Sequence, residues 1–404
     1  MTTTTTTTIN HNKIEVADVM RRFGPAYLER FGERMLPSHR RAIQDIMACR
    51  TAALGGHAWH CEACDKTFYV YHGCRNRSCP ACHTRQTQEW LEARAAELLP
   101  CPYYHVTVTI PEGLRAVVRS NQQAAYGMLM KTAAEAVLEL AADPRHVGGL
   151  AGILAVLHTW TGRMDYHPHV HMLVTGGGAE VDEAGAVLWR PPRAGFFVPV
   201  RALSRLVRGK LHAALARSHP ELYAQIPQQV WKSEWVVNCL YWGQGEKAVL
   251  EYLARYVFRV AVTNRRIVAM DEETVTFRWK DRDAGCWRTC RVAGQEFIRR
   301  FLQHVLPQGF HKVRYYGLWN PGKRELAAQA RAGLELAALL RGQGPGDQTV
   351  AATGPEGEPA TDACDGANGD EAVESTPVCP HCHGRKVRHL RELHPERRGR
   401  RPDP

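Results

Sequence analysis

The segment DYHPHVHMLV, residues 165–174, carries three histidines in five positions and then continues as an apolar run. Residues two apart on a β-strand face the same side, so His169 and His171 point together while Val170 turns to the opposite face. His167 faces the same way as the pair. Two convergent imidazoles suit a divalent metal ion, although histidines at an ordinary sheet edge would show the same spacing.

The sequence around this segment predicts an α+β fold. Strand-like alternation is present in residues 103–113, 152–160 and 235–242, and helical spacing is present in residues 114–143 and 200–218. A further helix is predicted over residues 245–258, followed by a small meander and a helix over 294–307. This order of elements indicates a central antiparallel sheet with flanking helices.

Composition divides the chain into four parts. Residues 1–13 include a threonine tract and are predicted to be disordered. Residues 14–100 hold two short amphipathic helices and a cysteine-rich segment, and residues 101–341 hold the sheet and its helices. Residues 342–404 are predicted to be a disordered acidic linker that ends in a CPHC motif and a basic tail.

The net charge favours a polyanionic partner. The whole chain carries +11, but residues 342–384 contain eight acidic residues and no Lys or Arg, which leaves +19 on the remainder. Nucleic acid is the most plausible polyanion, because neutralising phosphates releases condensed counterions. Neither a signal peptide nor a membrane-spanning run is indicated. In such a chain, C-x-x-C motifs favour metal-bound thiolates over disulfides, which predicts a protein of the reducing cytoplasm.

The cysteine-rich segment predicts one structural zinc site. Cys61 and Cys64 form one C-x-x-C motif, Cys79 and Cys82 form another, and fourteen residues separate them. Two such pairs can bring four thiolates to the corners of a tetrahedron. Spare ligands lie nearby, namely Cys74, His60 and His83. The C-terminal pair, Cys379 and Cys382, is half a ligand set that a second subunit, Cys364 or a neighbouring histidine would have to complete.

Two tyrosines in EYLARYVFR, residues 251–259, supply a second reactive group. Tyr252 and Tyr256 are four apart on a predicted helix, which puts both phenols on one face. Such a pair is more often part of a core. Beside a metal ion, however, a tyrosine oxygen can attack a DNA phosphodiester to give a phosphotyrosine and a free hydroxyl.

Four segments together resemble the IS91-type rolling-circle insertion-sequence transposases, which belong to the His-hydrophobic-His (HUH) nuclease superfamily. They are CRNRSCPACHTRQTQEWL, LHTWTGRMDYHPHVHMLVTGGG, YLARYVFRVAVTNRRI and EFIRRFLQHVLPQGFHKVRYYG, and they span about residues 50–324 in the order found in the family. The resemblance implies an HUH nuclease-like fold with an N-terminal zinc module. It also implies cleavage of one DNA strand, 5′-phosphotyrosine formation and transfer to a target strand.

The resemblance further implies roles for particular residues. His169 and His171 match the motif that holds Mg²⁺ or Mn²⁺, Tyr252 and Tyr256 match the catalytic tyrosines, and Tyr256 is preferred if one acts alone. The third metal ligand is left open among His158, His105 and His167, with His158 preferred. Candidate contacts to single-stranded DNA are the arginines near these motifs: Arg75, Arg77, Arg255, Arg265 and Arg266.

Two other functions fit the same residues. A plasmid replication initiator or relaxase would use the same chemistry. A non-catalytic zinc-ribbon regulator would bind duplex DNA, with the tyrosines in the core and the histidines inert. The sequence does not determine the oligomeric state or the DNA sequences recognised.

Overall fold

A computed structural model describes residues 14–82, 98–193, 196–244, 249, 252, 256–257, 259–281, 283–340 and 377–395. In these ranges the fold is α+β, with antiparallel sheets flanked by helices, which confirms the predicted fold class. The predicted disordered segment 1–13, residues 341–376 of the predicted linker and most of the predicted helix 245–258 lie outside the described residues.

The helices and strands have the following bounds. The strands are β1 (Gly56–Cys61), β2 (Lys66–Tyr71), β3 (Pro102–Thr109), β4 (Gly152–Trp160), β5 (Tyr166–Thr175), β6 (Gly178–Val181), β7 (Val187–Arg190), β8 (Val237–Gln244), β9 (Ile267–Met270), β10 (Thr274–Lys280), β11 (Trp287–Ala293), β12 (Val313–Gly317) and β13 (Val387–Leu393). The helices are α1 (Val16–Phe31), α2 (Pro37–Ala48), α3 (Arg115–Ser120), α4 (Gln122–Ala142), α5 (Val200–Ser218), α6 (Pro220–Tyr223), α7 (Gln229–Lys232), α8 (Gly294–Leu302) and α9 (Arg324–Leu340).

The central sheet has five antiparallel strands in the order β12-β4-β5-β3-β8. The histidine strand β5 lies in the middle, between β4 and β3. Its register places His169 opposite His158 on β4, and His171 opposite Thr107 on β3. Side chains from three adjacent strands can therefore meet over the centre of the sheet.

Alternation along the strands separates the two faces of this sheet. Val106, Val170 and Met172 lie in the apolar core under helices α4 and α5. Tyr103, Leu154 and Leu173 lie in a second core on the opposite face, together with Tyr252 and Ala330 of α9. Because His169 and His171 alternate with Val170 and Met172, they share the face on which Tyr252 lies.

The predicted helix 114–143 is divided in two. The backbone at Asn121 leaves the helical region, with φ −131° and ψ 45°, so that α3 ends and α4 begins on either side of it. Helix α4 is rich in alanine and other good helix formers, and it buries a wide face against the sheet.

The N-terminal helices do not form a core of their own. Met20 of α1 and Ile43 of α2 are fully buried in one cluster with Phe277 of β10 and Phe297 of α8. The small sheet β11-β10-β9, which corresponds to the predicted meander, thus packs with residues more than 200 positions earlier. The predicted boundary near residue 100 is crossed by this core.

A third sheet joins the two ends of the described chain. Strand β13 pairs with β1, which also pairs with β2, and the three form a sheet in the order β13-β1-β2. The prediction that residues 342–404 form a disordered linker is therefore wrong for residues 377–395, which fold onto the N-terminal hairpin. None of the helices in the described ranges combines the length and apolar character needed to cross a bilayer.

Candidate active site

Three histidines converge on the face of the central sheet that also holds Tyr252. His158 of β4 and His169 and His171 of β5 each offer a ring nitrogen, and these nitrogens all lie within 4.8 Å of one another. We refer to these three residues as the histidine cluster. The cluster includes the preferred third residue, His158, because its strand pairs with β5 in a register that sets it against His169.

Hydrogen bonds orient each ring of the histidine cluster. His169 Nδ1 lies 2.7 Å from the carbonyl oxygen of His167, and His158 Nε2 lies 2.7 Å from that of Tyr256, so both nitrogens donate. His171 Nδ1 lies 2.9 Å from Nε2 of His105. In His158 and His169, the second ring nitrogen then carries the lone pair that a metal ion requires.

Burial keeps two of these imidazoles neutral. Desolvation is the largest cause that lowers the pKa of His158 and of His171 well below the usual value of 6.5, and neighbouring histidines lower both further. A neutral imidazole is the form that binds a metal ion, so the donor set fits a divalent cation.

The two alternative third ligands occupy other positions. His105 of β3 is buried and contacts His171, with ring centroids 5.1 Å apart, and Thr107 Oγ1 lies 3.2 Å from His105 Nε2. His167 Nδ1 instead accepts a hydrogen bond from Arg115 at 3.0 Å. His105 is therefore a partner of a cluster residue, and His167 contributes its carbonyl to orient His169.

Both tyrosines lie beside the histidine cluster. The Tyr256 ring centroid is 4.2 Å from that of His171 and 6.0 Å from that of His158. The Tyr252 and Tyr256 rings are 4.9 Å apart, as expected for residues four apart on one helical face. The two differ in access: Tyr252 is fully buried, whereas Tyr256 is partly exposed.

Burial also changes the acidity of Tyr252. Desolvation is the largest cause that raises the pKa of its phenol well above 10, and the neighbouring Tyr256 raises it further. Tyr252 is therefore closed to solvent and hard to ionise, which makes its phenol a poor nucleophile in this conformation.

Two basic residues lie near the cluster: Lys312, in the segment HKVRYY whose sequence also suggests a phosphate-binding surface, and Arg259, which was not predicted. Lys312 Nζ donates a 3.1 Å hydrogen bond to the carbonyl of Arg259, and the Lys312 carbonyl accepts from the N–H of Leu157, next to His158. Burial lowers the pKa of Lys312 to about 7. The charges of Lys312 and Arg259 both act on the pKa of His158, which places them near the cluster.

The cysteines form two clusters instead of one. The first cysteine cluster is Cys49, Cys74, Cys79 and Cys82, and the second cysteine cluster is Cys61, Cys64, Cys379 and Cys382. In each, the four sulfurs lie within 4.8 Å of one another. The predicted site of Cys61, Cys64, Cys79 and Cys82 is therefore wrong in its grouping, because its two pairs have different partners. Cys74, one of the three spare ligands named from the sequence, belongs to the first cysteine cluster. Cys49 was missed as a ligand because it does not stand in a C-x-x-C motif.

The arginines proposed to contact DNA are in different environments. The guanidinium of Arg77 donates to the carbonyls of Leu306, Pro307 and Phe310, and that of Arg266 donates to those of Ala261 and Arg278. These bonds anchor both guanidinium groups to the fold, and Arg266 is buried whereas Arg77 is exposed. Contact of these two arginines with DNA stays a prediction.

The other three candidates remain predictions. Arg75 and Arg265 are exposed, as a contact to DNA requires. Arg255 lies outside the described residues.

Comparison with known proteins gives consistent matches. Residues 152–326 match the family described as "Putative transposase", and residues 19–110 match the family described as "Transposase zinc-binding domain". The chain is 40% identical over 351 residues to "Putative transposase y4qJ" of Sinorhizobium fredii, covering 82% of this chain and 87% of that relative. It is 25% identical over 294 residues to "Transposase for insertion sequence element IS801" of Pseudomonas savastanoi pv. phaseolicola, covering 68% of each. No solved structure matches the chain.

Proposed function

The chain belongs to the IS91-type family of transposases, DNA-processing enzymes with a zinc-binding domain, and from this premise we propose that it cuts and rejoins single DNA strands through a phosphotyrosine. The observation that carries the proposal is the contact of the Tyr256 ring with His171, with centroids 4.2 Å apart. A nucleophile and a metal-binding donor set then act on one phosphate.

In the proposed step, the Tyr256 oxygen bonds to phosphorus while the bond from phosphorus to the 3′ oxygen of the DNA breaks. The phenol loses its proton, and the departing 3′ oxygen takes one up to become a free hydroxyl. The 5′ phosphate stays on the protein. Because the phosphodiester is replaced by a phosphotyrosine ester, a later 3′-hydroxyl can reverse the step without ATP.

His158, His169 and His171 would hold a divalent ion, Mg²⁺ or Mn²⁺, at the histidine cluster. Such an ion polarises phosphoryl oxygens and stabilises the charge that develops in the transition state. Arg259 and Lys312 add positive charge near His158 and suit the phosphate backbone on either side of the cut. The exposed arginines Arg75 and Arg265 are the proposed outer contacts to single-stranded DNA.

We propose unequal roles for the two tyrosines. Tyr256 attacks first, because it is partly exposed and in contact with His171. Tyr252 is packed between Trp242 and His105, with ring centroids 5.7 Å from each, and supports the position of Tyr256. A direct reaction of Tyr252 would require this packing to open.

Covalent adduct formation tests the proposal. A single-stranded oligonucleotide from an element end, labelled at its 3′ end, is incubated with the protein and Mn²⁺ and separated by denaturing electrophoresis. We expect labelled protein with the native chain, none with Tyr256→Phe, and a reduced amount with Tyr252→Phe. The matched control is Tyr241→Phe, because Tyr241 packs on the opposite face of the sheet.

An adduct that persists unchanged in the Tyr252→Phe/Tyr256→Phe double variant contradicts the proposed chemistry. An adduct lost with Tyr252→Phe but retained with Tyr256→Phe contradicts the proposed assignment of the first nucleophile. Sequence-specific duplex binding without any adduct would instead support the non-catalytic regulator.

A further inference from the structure

The second cysteine cluster joins two distant parts of the chain. Cys61 Sγ lies 3.5 Å from Cys382 Sγ, and Cys64 Sγ lies 3.7 Å from Cys379 Sγ. The contributing pairs are more than 300 positions apart. Cys379 and Cys382 also lie outside residues 19–110, the range that matches the zinc-binding domain family.

The sulfur geometry fits a tetrahedral zinc ion. With zinc–sulfur bonds of about 2.3 Å, the sulfurs of a four-thiolate site are about 3.8 Å apart. The two observed distances are close to this value. All thirteen cysteines except Cys364 lie in the described part of the chain, where none of them forms a disulfide.

The backbone on the two sides of this cluster has the same conformation. The N–H of Asp65 donates to the carbonyl of Cys61 at 2.9 Å, and the N–H of His383 donates to that of Cys379 at 2.9 Å. Asp65 and His383 each follow the second cysteine of their pair, and both have positive φ, 56° and 57°. Positive φ is uncommon for residues other than glycine, although Asp and His adopt it more readily than most, so its presence at the same place in both pairs indicates the same turn.

The same backbone feature occurs at the first cysteine cluster. Arg50 follows Cys49 and Arg75 follows Cys74, with φ values of 56° and 53°. Of the five non-glycine residues with positive φ in the described ranges, four therefore directly follow a cluster cysteine. The first cluster lies wholly within the region that matches the zinc-binding domain family. The second cluster therefore has the same backbone feature as a cluster that is expected to bind zinc.

Apart from the second cysteine cluster, the described contacts of the C-terminal segment are mainly strand pairing and ring contacts of His389 with His57 and Trp59. Strand β13 pairs with β1 from Gly56 opposite Leu393 to Cys61 opposite Val387. The apolar core beneath this sheet consists of Cys61, Phe68 and Cys379, with a few partly buried neighbours. A core of this size contributes little stability, and small domains of this kind depend on a bound metal.

We propose that Cys61, Cys64, Cys379 and Cys382 bind a second zinc ion, and that this ion fastens the C-terminal strand β13 to the N-terminal hairpin. The ion cross-links the N-terminal hairpin to the C-terminal segment. Removing it should release residues 377–395 while the first zinc site stays filled. This proposal stands whether or not Tyr256 is a nucleophile.

Zinc content and hydrogen exchange test the proposal on the full-length protein. We expect two zinc ions per native chain by elemental analysis and one in the Cys379→Ser/Cys382→Ser variant. Amide exchange in peptides covering residues 387–393 should become fast in that variant, while exchange in α1 and α2 stays slow. The matched control is Cys286→Ser, which replaces an exposed cysteine outside both clusters and should retain two zinc ions and a protected β13.

A conservative variant separates loss of the metal from misfolding. Cys382→His keeps a zinc-binding side chain, so we expect it to retain two zinc ions and protection of β13. One zinc ion in the native protein, or two in the Cys379→Ser/Cys382→Ser variant, would overturn the proposal. Slow exchange in β13 after loss of the second zinc ion would overturn the fastening role.

Discussion

His105 contacts the histidine cluster, the proposed metal site, without belonging to it. Its Nε2 is 2.9 Å from Nδ1 of His171, and its ring also lies 4.8 Å from that of Tyr256. A partner of this kind fixes the orientation and tautomer of a ligand. His105 therefore connects a proposed metal ligand, His171, with the proposed nucleophile, Tyr256.

We expect His105→Ala to weaken Mn²⁺ binding by about 10- to 100-fold, because the ring of His171 loses its hydrogen-bond partner. Mn²⁺ titration followed by electron paramagnetic resonance measures the affinity. His212→Ala is the control, since His212 is bonded to Tyr223 at 2.8 Å and lies among residues of the opposite face. Equal Mn²⁺ affinities in the two variants would show that His105 does not support the cluster.

His304 links the central sheet to the helical core. Its Nδ1 lies 3.1 Å from Thr159 Oγ1, and its Nε2 donates to the carbonyl of Met164 at 3.1 Å. Burial lowers the pKa of His304 to about 4, and the bond to Met164 partly opposes that shift. The folded chain therefore keeps this imidazole neutral where the unfolded chain, with a pKa near 6.5, takes up a proton.

The stability that neutral His304 contributes is fully present above pH 6.5 and decreases as the pH falls towards 4. The unfolded state binds more protons over this range. At pH 4 this proton uptake lowers the free energy of unfolding by about 3 kcal/mol relative to pH values above 6.5. We expect His304→Gln to reduce the slope of unfolding free energy against pH between 6.5 and 4, measured by urea denaturation. His311→Gln, at an exposed position, should keep the native slope, and a native slope in His304→Gln would contradict the assignment.

Among the elements, the edge strand β12 was not predicted, although it completes the sheet beside β4. It ends at Gly317, where φ is 61° and a Cβ would lie 2.0 Å from the carbonyl oxygen of Ala151. Only glycine allows the chain to pass this close to the neighbouring strand. Lys312 directly precedes β12, so the position of this strand also sets that of Lys312 near the histidine cluster.

Gly317→Ala is expected to lower the free energy of unfolding by more than the 1–3 kcal/mol that a left-handed conformation alone costs. The added methyl group must displace backbone as well. Gly309→Ala is the matched control, since Gly309 has a φ of 73° but nothing within 4 Å of a Cβ. Chemical denaturation measures the free energy of unfolding of both variants. A decrease in Gly317→Ala no larger than that in Gly309→Ala would show that the contact of the new methyl group with Ala151 does not destabilise the fold.

Across the whole molecule, two kinds of metal donor lie in separate regions. The cysteine clusters offer eight thiolates, which favour zinc, whereas the histidine cluster offers three imidazoles. We expect brief treatment with EDTA to abolish adduct formation without changing zinc content, and added Mn²⁺ to restore it. Loss of zinc in parallel with activity would contradict this separation.

Local patterns in the sequence determined much of this protein. The alternation in β5 was enough to predict that His169 and His171 share a face, because neighbouring side chains on any strand point to opposite sides. Helix geometry likewise places Tyr252 and Tyr256, four residues apart, on one face. The α+β class follows from the order of the elements. The resemblance to IS91-type transposases rested on the same short motifs.

Only the tertiary structure decided which distant residues meet. The pairing of β4 with β5 brought His158 to the histidine cluster, while the pairing of β13 with β1 gave Cys61 and Cys64 partners other than Cys79 and Cys82. The burial of Tyr252 beside the more accessible Tyr256 likewise depends on packing against other elements. Such contacts join residues up to about 320 positions apart, and no local spacing encodes them, because their geometry exists only after the strands have paired.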